Sequence, residues 1–77
     1  MNIPTNADRA ERAYRTILTY QHKHDPGDEN FDVVTVDFLA DLMHEVRMHR
    51  GDDFDELIER ARAHHDAEAS EEREVTA

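Results

Sequence analysis

Thr35-Val36-Asp37-Phe38-Leu39-Ala40-Asp41-Leu42-Met43-His44-Glu45-Val46-Arg47-Met48-His49-Arg50 is the stretch that decides the fold. At about 100° per residue, Val36, Phe38, Leu39, Leu42, Met43 and Val46 fall in one arc, with Asp37, Asp41, His44 and Met48 on the opposite face. The stretch therefore reads as a central amphipathic helix. Its broad apolar arc must be covered by the neighbouring helices or by a second copy of the chain.

Outward from that helix, the chain is punctuated clearly. On its N-terminal side, Asp25-Pro26-Gly27-Asp28 combines a residue restricted by the proline after it, a fixed φ and a permissive glycine, which ends any preceding helix near His22 to His24. Val33 and Val34 are β-branched but have no partner strand, so they read as the entry to the central helix, with Thr35 or Asp32 as its cap. Phe31, the large apolar side chain of the acidic loop 25–32, is expected to fold back over the helix pair. Upstream, Thr5-Asn6-Ala7-Asp8 has a hydroxyl three residues before a carboxylate, the capping-box pattern, and starts a first helix near Ala7. Ala7, Ala10, Tyr14, Ile17, Leu18 and Gln21 form its expected inward face, with Arg9, Arg12 and Arg15 outward.

On the C-terminal side, Gly51 stops the central helix, and Arg47, His49 and Arg50 lie in its last turn, where the helix dipole favours cations. Asp53-Phe54-Asp55-Glu56 repeats the capping logic, with Asp53 as cap. Phe54, Leu57, Ile58 and Ala61 make the stripe of the third helix, and His65 continues it as a core-edge histidine. From Ala67 to Ala77 the chain is acidic and lacks apolar anchors. The expected fold is all-α: a compact three-helix domain over 7–69, with helices of about 7–23, 33–50 and 53–69. A flexible lead-in, 1–6, precedes it, and a disordered acidic tail, 70–77, follows. The domain is a monomeric bundle or a homodimer that covers the wide arc of the central helix, and six apolar residues on that arc tilt the choice toward the dimer.

Nineteen acidic residues against nine basic ones give the 77-residue chain a formal net charge of −10. That sign opposes direct DNA or RNA binding, whose affinity is dominated by phosphate contacts. Cysteine is absent, which excludes disulfides and thiolate metal sites and fits a cytoplasmic location. No apolar run is long enough for a signal peptide or membrane span. The six histidines offer two-ligand spacings, among them Asp41 with His44, Glu45 with His49 and His64 with Glu68, but no complete zinc set and no HExxH. The acidic loop does not match a calcium-binding EF-hand. Neither a metal nor a cofactor is expected.

The carboxylates are the remaining candidates. Asp37, Asp41 and Glu45 give one acid per turn, about 6 Å apart along the axis. Asp52, Asp53, Asp55, Glu56 and Glu59 gather at the start of the third helix. Such rows either are ordinary solvated helix faces or attract a protein with a basic surface, in the extreme by imitating a phosphate backbone.

The segments Asp37-Phe38-Leu39-Ala40-Asp41-Leu42-Met43-His44 and Phe54-Asp55-Glu56-Leu57-Ile58-Glu59-Arg60-Ala61-Arg62-Ala63-His64 resemble a group of small, uncharacterised, acidic helical proteins encoded on bacterial plasmids, integrative elements and phages. The likeness covers Ala7 to Glu68 and implies a mobile-element origin, with no established activity. An aromatic residue commonly follows each of the two histidines in that group, whereas Glu45 and His65 stand there in this chain. Three functions stay open: an acidic module that docks on a basic protein, such as a nucleic-acid-mimicking or anti-defence inhibitor; a structural or regulatory homodimer without ligand; and a small metal-dependent enzyme using Asp41, His44 and His64.

Overall fold

The structure, a computed structural model, describes residues 3–28 and 30–76, with side chains as far as Glu72. Three α-helices follow one another, α1 (Asn6–His24), α2 (Phe31–Glu45) and α3 (Phe54–Thr76), and a π-helical turn (Val46–Arg50) extends α2. The described residues contain no strand, so the all-α, three-helix expectation holds. No helix among them is long and apolar enough to cross a membrane. Met1, Asn2 and Ala77, parts of the expected lead-in and tail, lie outside the described residues.

Each helix starts where a short polar side chain can satisfy free backbone N–H groups. Thr5 caps α1: its hydroxyl accepts from the Asp8 N–H at 3.1 Å, and its own N–H donates to the Asp8 carboxylate at 2.9 Å. Those two bonds hold the Asp8 carboxyl below the usual carboxylate range. Asp53 caps α3 by accepting from the Asp55 N–H at 2.9 Å. The cap of α2 is Asn30, not Thr35 or Asp32; its side chain accepts from the Asp32 and Val33 N–H groups. The helix thus begins two residues before the expected Val33, and the Thr35 hydroxyl instead bonds back to the Phe31 carbonyl at 2.9 Å. The backbone of α3 stays helical to Thr76, past the expected helix end at 69.

Between α1 and α2 the loop folds back along α1, where the Gln21 side chain donates to the Asp28 carbonyl at 2.7 Å. It delivers Phe31, the first residue of α2, against Tyr14 with ring centroids 5.4 Å apart. Further along, Phe38 meets Tyr20 edge-on at 5.4 Å. The contacts climb both helices together, so α2 crosses α1 and does not return along it as an antiparallel hairpin. Helix α3 then reaches back to the start of α1, where Arg9 pairs with Glu68 at 2.6 Å and the Asn6 side chain donates to the Glu68 carbonyl and the Glu72 carboxylate. Arg9 is accordingly half-buried, not outward as its spacing suggested.

Val34 and Val46, at 0% and 1% exposure, are the two buried residues among those described. Ile17, Leu18, Tyr20, Phe38, Leu42, Phe54 and Leu57 are half-buried around them. Three members of the expected arc of α2 stay outside: Val36 at 63% and Met43 at 48% exposure, with Leu39 beside them. Ala7 and Ala10 of α1, expected inward, are also exposed. The physical reason is that α2 is apolar on two sides. Phe31, Val34, Phe38 and Leu42 share the side that meets α1, and the other apolar side is left to solvent. His65, placed by its spacing at the core edge, is exposed, with its ring 3.0 Å from the neighbouring Asp66 carboxylate.

Candidate acidic docking face

The two groups of carboxylates end in different environments. Along α2, Asp37, Asp41 and Glu45 are engaged within the molecule. The Asp41 carboxylate accepts from the Tyr20 hydroxyl at 2.6 Å, which ties it to α1. Glu45 is bound by Arg50 at 3.0 Å and lies 3.8 Å from His49, both in the π turn. Asp37 is half-buried against Asp25 at the end of α1. One carboxylate per turn, as the spacing requires, is present, but each is spoken for by a neighbour.

Tyr20 is the residue that the spacing missed in this group. Donating to Asp41, together with burial and the charges of Asp41, Asp25 and Asp37, pushes its hydroxyl up to about 12, so it stays a proton donor at neutral pH. A signal was available, since Tyr20 lies three residues beyond Ile17 on the inward face.

Asp25 and Asp37 form an acid pair with an electrostatic cost. Burial first, and then the neighbouring Asp37 and Asp28, push the Asp25 carboxyl above its usual range, with His24 opposing weakly. Its Oδ2 is buried without a hydrogen-bond partner. A proton on Asp25 would give Asp37 a donor, so the folded chain holds that proton more tightly than the unfolded one. Stability from this pair is present below the ordinary aspartate range and is lost as pH rises through the raised value. Asp25→Asn supplies the missing donor at every pH. It is expected to raise Tm at pH 7 and to flatten the rise in Tm expected of the wild type on mild acidification, as thermal melts across pH will check. Equal Tm values for the two proteins at pH 7 would refute the strain.

At the start of α3 the acids face water. Asp52, Asp53, Asp55, Glu56 and Glu59 are all exposed, and among the described residues none of them forms an ion pair. Asp53 is occupied as the helix cap, Asp55 and Glu56 stand in the first turn of α3, Glu59 in the turn after it, and Asp52 just before the helix. On α3, Asp55, Glu56 and Glu59 share an arc about 100° wide. Asp52 and Asp53 also border an open cleft of ≈ 410 Å³ together with Ala40, Met43, His44, Arg47 and Phe54.

The spacings that suggested metal sites do not converge. No group of three or more His, Asp or Glu side chains among the described residues is placed to hold a metal ion. His44 is exposed at the mouth of the cleft, and His64 is exposed on α3. No protein-family model matches the chain, no curated protein matches its sequence, and no solved structure matches it.

Proposed function

We propose that the chain is a binding module and not an enzyme, acting in the cytoplasm by docking the carboxylate face of Asp52, Asp55, Glu56 and Glu59 on the basic surface of a protein partner. The observation that carries this is the concentration of five exposed acids within eight residues at one helix start, on a chain of net charge −10. A rigid row of fixed negative charge draws in basic surfaces from a distance and competes with the phosphates they normally hold. A nucleic-acid-binding protein is the partner such a face suits, and an inhibitor encoded on a bacterial mobile element is the role it suits. Asp37, Asp41 and Glu45, engaged with Asp25, Tyr20 and Arg50, add to the field but are less able to form direct contacts.

The test is capture from a bacterial lysate at low and high salt, with duplex DNA as competitor. The wild type is expected to retain a basic, nucleic-acid-binding protein that DNA displaces and that is lost as salt shortens the reach of charge. The Asp52→Lys, Asp55→Lys, Glu56→Lys, Glu59→Lys variant, with the Asp53 cap intact, is expected to keep its helicity and lose that protein. Retention that is indifferent to salt, to DNA and to the four reversals would sink the proposal.

A further inference from the structure

Two buried side chains are few for a helical domain, and the surface area says the same. The chain exposes 6586 Å², whereas the scaling law for folded monomers gives about 4,850 Å² at 9.0 kDa. Its radius of gyration, 15.1 Å, compares with about 11.5 Å for a compact chain of this length. The stretch of α3 from Ile58 to Ala67, exposed throughout, accounts for part of the difference. The solvent-facing apolar side of α2, formed by Val33, Val36, Leu39, Ala40 and Met43, accounts for another part.

That side of α2 is its own complement. At 100° per residue its five members fall within an arc about 120° wide, and between Val33 and Met43 no charged residue enters it. The arc ends at Asp32 in the first turn and at Arg47 just past Glu45, equally far from the midpoint between Leu39 and Ala40. Val36 and Met43 are also equidistant from that midpoint. We infer that the occupant is a second copy of this chain, with the two α2 helices packed antiparallel about a two-fold axis at Leu39 and Ala40. Leu39 then sits over the partner's small Ala40, Val36 meets the partner's Met43, and Asp32 reaches the partner's Arg47. A parallel pairing would set Asp32 on Asp32 and Arg47 on Arg47. Neither Asp32 nor Arg47 has an ion-pair partner within its own chain among the described residues. The excess area, about 1,700 Å² per chain, exceeds the roughly 800 Å² per partner of a standard stable interface. The inference does not depend on the acidic face.

Sedimentation equilibrium on the full chain is the test, with helicity followed by circular dichroism. The wild type is expected at twice its 9.0 kDa chain mass, and Leu39→Glu at the chain mass or unfolded. Asp32→Arg alone and Arg47→Asp alone each set like charges together twice in the dimer and are expected to weaken it about tenfold or more. Mixing these two variants restores an opposite-charge pair at both ends, so the mixture is expected to form a heterodimer at wild-type strength. A wild type that remains at the chain mass at every concentration overturns the inference, including one that instead holds an unrelated protein through Leu39. So does a dimer that survives Leu39→Glu, and so does a mixture no tighter than its components.

Discussion

Val34→Asp is expected to leave no cooperative thermal transition and a far-ultraviolet spectrum without helical minima. Val34 has no exposed surface, and it lies on the side of α2 that carries Phe31 and Phe38 to the tyrosines of α1. A carboxylate there must either stay charged in an apolar site or take up a proton and still lack a partner, at a cost of several kcal/mol. A 77-residue chain has about 4–11 kcal/mol of total stability to lose. Val34→Ala, which deletes volume without adding charge, is expected to keep a cooperative transition at a lower Tm, which separates buried charge from lost packing. A Val34→Asp protein melting near the wild-type temperature would mean that the crossing of α1 and α2 is not the core.

Phe38→Ala is the second large effect. Its ring stands edge-on to Tyr20, and Tyr20 in turn holds Asp41 at 2.6 Å. Removing the ring deletes half-buried apolar surface and loosens the tyrosine that joins the helices, so the expected loss is about 2–4 kcal/mol, read as a shift in the urea midpoint. Met48→Ala, exposed in the π turn, is expected to change stability by less than about 0.5 kcal/mol. Equal losses for the two would contradict the packing.

The helix boundaries set by local chemistry were legible in the residues themselves. Thr5 with Asp8, Asp53 as the cap of α3, and Gly51 after a basic turn are decided by groups within a few positions of one another, and all three stand as expected, Asp53 taking the N–H of Asp55. Asn30 was harder because Asp32 and Thr35 offer the same kind of oxygen slightly later, and the choice falls to where Phe31 can reach Tyr14. The arc of α2 was half legible. Counting at 100° finds apolar faces but does not say which of two will meet α1, since that depends on a loop that folds back. For the acids, the exposed cluster at the start of α3 could be found by composition alone. Asp41, twenty-one residues from Tyr20, and Glu68, at the far end of the chain from Arg9, carry no local sign of their partners.

The π turn at Val46–Arg50 makes the join between α2 and α3 a matter of phase. Gly51, at φ 67°, closes it by donating its N–H to the Val46 carbonyl at 2.9 Å, five residues back, where an α-helix would close four back. The turn therefore accommodates one residue more than an α-turn. A chain shortened by a single residue here closes as ordinary α-helix, one turn replacing one turn, and keeps everything after it on nearly the same bearing. The same deletion in the α-helical part of α2 has no spare residue to give up and swings Asp55, Glu56 and Glu59 by about 100° around the axis of α2. The π turn is thus a stretch of slack, where length can change and the compass direction of the charge is kept.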